Sequence, residues 1–120
     1  MSTVPVALRC ADYQKHVVVF RQDSFDTHKL KHPELEQPGF FPEPVKKALR
    51  KPTFCIAGHK NNATCYYLEL FAKNGIMRYV KVVVSNRPEN INSEQVYRIK
   101  TAFKTDHIQE KKYGYALQYI

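Results

Sequence analysis

Val96-Tyr97-Arg98-Ile99-Lys100-Thr101-Ala102-Phe103-Lys104-Thr105 has the period of two that marks a β-strand, whose successive side chains point to opposite faces. Uniform alternation puts Arg98, Lys100 and Lys104 on one face and Tyr97, Ile99, Thr101, Phe103 and Thr105 on the other. The same period runs through Phe54-Cys55-Ile56-Ala57, Thr64 to Phe71 and Ile76 to Ser85. Lys60-Asn61-Asn62 and Lys73-Asn74-Gly75 read as the turns between them, Asn74-Gly75 strongly so because both residues tolerate positive φ. Asn86 to Glu94 makes the next turn. These stretches predict four consecutive antiparallel strands.

Upstream the pattern changes. Val17-Val18-Val19-Phe20 is a short β-branched run, and Asp23-Ser24-Phe25-Asp26 supplies side chains able to cap a helix that ends at Pro33. Phe25, His28 and His32 would share one face of that helix, with His32 at its frayed end because the following proline disfavours helical backbone. Gln37 to Pro42 is a loop. Glu43 to Arg50 reads as a second short helix, with Pro44 in its first turn, Pro52 beyond its end and an apolar stripe of Val45, Ala48 and Leu49. Tyr113 to Ile120 adds a short edge strand or packs as an aromatic tail. The expectation is an α+β fold in one domain, residues 1–120: short N-terminal helices packed on a four-stranded antiparallel meander sheet.

Composition bounds the function. The 120 residues are 43% hydrophobic, which suits a globular domain that is stable without a metal or disulfide staple. Nineteen Lys+Arg against eleven Asp+Glu give a formal charge of +8, favouring an anionic partner such as nucleic acid over a neutral metabolite. Cys10, Cys55 and Cys65 are odd in number and lack C-x-x-C spacing, so they encode neither a disulfide framework nor a zinc ribbon and fit a reducing cytoplasm. The N-terminus lacks a basic region followed by an apolar run, and Val82 to Val84 is too short to cross a bilayer, so no membrane association is expected.

His28-Lys29-Leu30-Lys31-His32-Pro33-Glu34 places groups able to titrate near neutral pH beside fixed positive charge. Histidine can move a proton under physiological conditions, and lysine can offset charge developing on a phosphoryl oxygen. The structural alternatives are ordinary ones: His28 orienting its helix, His32 closing the helix C-terminus, Glu34 pairing with Lys31 and the basic strand face simply solvated. His28 and His32 at i and i+4 are too few for a metal site, and His16, His59 and His107 are scattered. Cys55 and Cys65 lie in apolar strand patterns where cysteine usually packs.

Taken in order, His28, His32-Pro33-Glu34, Lys51-Pro52, Cys65-Tyr66-Tyr67-Leu68, Tyr79-Val80-Lys81-Val82-Val83-Val84 and Ile99-Lys100-Thr101-Ala102-Phe103 resemble the phage-associated nucleases grouped with barnase, EndoU, the colicin ribonucleases and RelE toxins. The resemblance covers about residues 17–105. It implies the barnase/RelE-like α+β fold and a metal-independent endoribonuclease, toxin-like, that needs no cofactor. RNA would be the partner, and an inhibitor or immunity protein the companion of a toxin-like member. Such an enzyme works by transesterification, the ribose 2′-hydroxyl attacking the adjacent phosphate. On this reading His28 is the acid or base, Thr101 hydrogen-bonds a phosphate oxygen, and Lys104 with Lys29, Arg98 and Lys100 supplies positive charge. His32 and one of Tyr66 and Tyr67 contact substrate. The alternative is a non-catalytic RNA-binding or protein-interaction module on the same fold.

Overall fold

The computed structural model describes residues 3–37, 39–58, 62–70, 78–106 and 117–119. Two strands come first, β1 (Val6–Ala11) and β2 (Val17–Arg21), then helix α1 (Gln22–His28), a 3-10 turn at Pro33–Glu36 and helix α2 (Glu43–Arg50). Six strands follow: β3 (Phe54–Gly58), β4 (Ala63–Leu70), β5 (Arg78–Ser85), β6 (Glu89–Ile91), β7 (Glu94–Thr105) and β8 (Leu117–Tyr119). They form one sheet in the order β1-β2-β7-β5-β4-β3-β8, with β6 paired to β7. β2 and β7 are parallel, and every other pair is antiparallel.

This corrects the expected fold. The four strands read from the alternating stretches are neighbours in the sheet, but they form the middle of a wider mixed sheet, and two strands precede the helices. The physical reason lies in two places. Asp12 to His16 turns the N-terminal segment back on itself, so that a run too short to be decisive in sequence becomes half of a hairpin. β7 also outruns β5 at its N-terminal end, which leaves Tyr97 and Arg98 to pair with β2. β6 forms within the stretch expected to be only a turn. Asn92 and Ser93, with φ of 53° and 64°, make its two-residue connection to β7. The Asn74-Gly75 turn, His59 and His107 lie outside the described residues.

The helices cover one face of the sheet. α2 spans the residues bracketed by its prolines and buries Val45, Ala48 and Leu49 completely against Tyr66, Leu68, Val80 and Val82. α1 stops at His28, four residues earlier than expected, so His32 lies outside the helix. Its Phe25 packs edge-on to the fully buried Phe20 of β2, with ring centroids 5.7 Å apart. The opposite face carries two smaller clusters, one around Phe54, Ile56 and Tyr67 and one around Val19, Ile91 and Val96.

β7 does not alternate uniformly. Thr101 stands opposite Val83 and Ile99 opposite Val84, so Lys100 is an extra residue in the ladder. Such a bulge inverts the alternation beyond it. Ile99 and Ala102, three residues apart, accordingly share the helix-side core. The expected basic face is thereby split: Arg98 and Lys104 lie on opposite sides of the sheet, and Lys100 sits at the bulge between them.

Candidate functional site

The end of α1 is a sharp exit. The carbonyl oxygen of His28 accepts the N–H groups of both Lys31 (3.0 Å) and His32 (2.8 Å), which folds the chain away from the helix axis. Pro33 then opens the 3-10 turn, anchored by Leu35, whose side chain is 1% exposed. This places the turn along the half of β7 that β2 leaves unpaired. Glu34 Oε2 accepts the backbone N–H of Lys104 at 3.2 Å, satisfying a strand-edge donor across 70 residues of sequence. His32 lies flat on Phe103, with centroids 4.8 Å apart and planes 14° from parallel. His32-Pro33-Glu34 and Thr101-Ala102-Phe103, far apart in sequence, are therefore in direct contact.

Lys81 stands directly across from Phe103 in the ladder, and Tyr67 stands directly across from Lys81. Its Nζ is 5.6 Å from each of the two ring centroids, and the residue is only 7% exposed. Aromatic faces attract a cation, and the attraction strengthens when water is excluded. Beyond the bulge Thr101 falls on the same side as Phe103. Its Oγ1 is buried and has no hydrogen-bond partner among the described residues. The enclosed hydroxyl thus keeps its donor and acceptor capacity unused among the described residues.

His28 is half-buried, and burial, followed by the nearby His32 and Lys31, holds its imidazole below the ordinary histidine range. Near neutrality it is uncharged and able to accept a proton. Lys29 is engaged by carboxylates, 3.3 Å from Asp26 and 3.4 Å from Glu36. Lys104 extends over Phe40 on the helix side at 5.7 Å. Arg98 Nε lies 3.9 Å from Glu89 on the other side.

Tyr66 and Tyr67 face opposite ways, as neighbours on a strand must. Tyr67 is fully buried, stacked on Phe54 at 5.0 Å. Tyr66 belongs elsewhere: its hydroxyl donates to Asp12 Oδ2 at 2.8 Å, in a pocket to which none of the other expected site residues contributes. His32 thus meets the face of β7 that carries Thr101 and Phe103, with His28 close to His32; Arg98 shares that face but turns to Glu89, and Tyr66 and Lys104 lie on the helix side.

No protein-family model, no curated protein and no solved structure matches the chain. Among the described residues no three or more His, Cys, Asp or Glu side chains are grouped to hold a metal ion, and no helix is long and apolar enough to cross a membrane.

Two residues received no site role in the sequence reading, Lys81 on this face and Asp12 beside Tyr66. Lys81 left a signal, a lysine at strand period with Tyr79 and Val83. Asp12 left another, an acid shortly before the β-branched run Val17-Val18-Val19, with His16 four residues on.

Proposed function

We propose that the chain is a metal-independent, toxin-like endoribonuclease whose reacting corner is built by His28, His32, Thr101 and Lys81. The observation that supports this reading is the contact between His32-Pro33-Glu34 and β7, which sets the His32 ring on Phe103, on the strand face that carries the unpartnered Thr101 hydroxyl and faces Lys81, from segments 70 residues apart. In the reaction the 2′-oxygen bonds to phosphorus while the bond from phosphorus to the 5′-oxygen breaks, leaving a cyclic phosphate and a free 5′-hydroxyl. His28, uncharged near neutrality, takes the 2′ proton, and His32 is the group assigned to return one to the departing 5′-oxygen. Thr101 donates to a non-bridging oxygen, and Lys81 offsets the charge of the pentacoordinate intermediate. A cytoplasmic location and a dedicated inhibitor protein belong to the same proposal.

The second reading, an RNA-binding or protein-interaction module without cleavage, is favoured by one observation. Lys81 is 7% exposed and Tyr67 fully buried, so the cation lies between rings and not in an open cleft. Mixed cellular RNA incubated with the purified chain in excess chelator separates the two. The enzyme reading expects cyclic-phosphate ends, with the rate falling about 100-fold or more in His28→Ala. Intact RNA together with a salt-sensitive gel shift supports the binder, and neither cleavage nor binding at low salt removes both.

A further inference from the structure

The turn between β1 and β2 is held by one carboxylate. Asp12, 5% exposed, accepts the backbone N–H groups of Gln14 and His16 on Oδ1, each at 2.9 Å, and the Tyr66 hydroxyl on Oδ2 at 2.8 Å. His16 Nδ1 lies 3.4 Å from the same Oδ2. The turn is also tied to α2, the N–H of Tyr13 donating to the Leu49 carbonyl at 2.9 Å. Lys15 takes the left-handed conformation, φ 68°, that closes it. The carboxylate is thus occupied in shaping the turn, which leaves the space behind it to serve something else.

That space is a pocket of about 260 Å³ between the turn and the ends of β4, β5 and β7. It falls just short of the roughly 300–1,000 Å³ typical of drug-sized ligand sites, so it suits one flat ring system. Its walls are aromatic: His16 and Tyr97 have centroids 5.1 Å apart at 57°, and Tyr13 meets Tyr66 edge-on at 6.1 Å. Its polar lining includes the Gln14 and Asn86 amides, which combine donors with an acceptor and are engaged by no other side chain among the described residues. No lysine or arginine lines it, so the interior suits an uncharged ring better than a phosphate. Lys15 lies in the turn itself, and Arg50, its Nη2 3.5 Å from Glu43, directly follows the Leu49 carbonyl that anchors Tyr13.

We infer that this pocket holds one unpaired nucleobase of an RNA strand, whose flanking phosphates meet Lys15 and the basic C-terminal end of α2. Aromatic walls recognise the base by stacking and the two amides read its hydrogen-bonding edge, the mode by which single strands are commonly bound. The choice of RNA as the polymer rests on the ribonuclease reading. The pocket and its contents do not depend on cleavage.

The test uses the full chain and a fluorescently labelled hexaribonucleotide with 2′-O-methyl groups, which cannot be cleaved, followed by anisotropy at low salt. The wild type is expected to bind, with a labelled duplex of the same sequence failing to compete. Tyr97→Leu should weaken binding roughly 10- to 100-fold, the worth of one stacked base, and Tyr97→Phe should restore it. Asn86→Ala and Gln14→Ala, at exposed positions that do not threaten the fold, should each weaken it several-fold. No hexamer binding, equal competition by duplex, or wild-type affinity in both amide variants overturns the inference. Hexamer binding lost in the pocket variants, alongside uncleaved cellular RNA, leaves the pocket standing and removes the enzyme. Cleaved RNA with unaltered hexamer affinity in the variants does the reverse.

Discussion

Tyr66→Phe isolates the hydrogen bond that joins the β1–β2 turn to the body of the sheet. The residue is 6% exposed and its hydroxyl donates to a carboxylate, a class of bond whose loss typically costs about 1.5–3 kcal/mol. Phenylalanine fills the same volume, so no cavity term adds to it. Asp12 keeps both backbone donors and the nearby His16, so its charge is not orphaned, and the lower part of that range applies: about 1.5–2 kcal/mol. Asp12→Ala should cost more, about 2–4 kcal/mol, because it strands the buried Tyr66 hydroxyl and frees both turn amides. Adding Asp12→Ala to Tyr66→Phe should then cost distinctly less than in the wild type, since no hydroxyl remains to be stranded. Urea unfolding of the four proteins completes the cycle. Additive losses, or a Tyr66→Phe cost below about 0.5 kcal/mol, would show that the bond does not hold the turn to the sheet.

Three further outcomes follow from the same structure. Leu49→Ala, at a fully buried position of α2, should lower stability by about 2–5 kcal/mol in denaturant titrations. His28 titrates below the ordinary histidine value because of burial, so its contribution to stability is fully present above about pH 6.5 and is lost as pH falls through the lower folded value. Nuclear magnetic resonance of its ring protons should give an acid-shifted midpoint, and a midpoint above the ordinary value contradicts the placement. The Cys55 thiol is pushed up to about 11, mainly by burial, so alkylation in mildly alkaline buffer should be slow in the folded chain and fast after denaturation.

Local pattern was legible where packing merely obeyed it. The stripe Val45, Ala48, Leu49 and the opposite orientations of Tyr66 and Tyr67 follow from helical and strand periods, and the structure buries them accordingly. What sequence could not supply was the pairing of segments far apart. That β2 lies parallel to β7 depends on a crossover through both helices, and no local signal encodes it. The bulge at Lys100 was hidden for a related reason: Arg98, Lys100 and Lys104 keep perfect spacing in the chain, and only the ladder with β5 reveals the extra residue. The site suffered from the same loss, because a face assigned by alternation changes sides at a single unpaired position.

The corner at β7 also explains why the structural and chemical readings of His32-Pro33-Glu34 need not compete. An unpaired stretch of strand invites association with another chain unless something covers it. Pro33 has no N–H to satisfy, Glu34 accepts the Lys104 amide, and Leu35 seals the turn into the core. These are structural duties. They fix the backbone on either side of His32 and hold its ring on Phe103, while Thr101 and Lys81 occupy the same side of the sheet. Rigid support of this kind is what an acid-base group requires, since misplacement by an ångström can cost about 100-fold in rate. On the proposed ribonuclease reading Glu34 is thus a support and not a reacting group, and the proton would go to His28, the histidine whose pKa burial lowers.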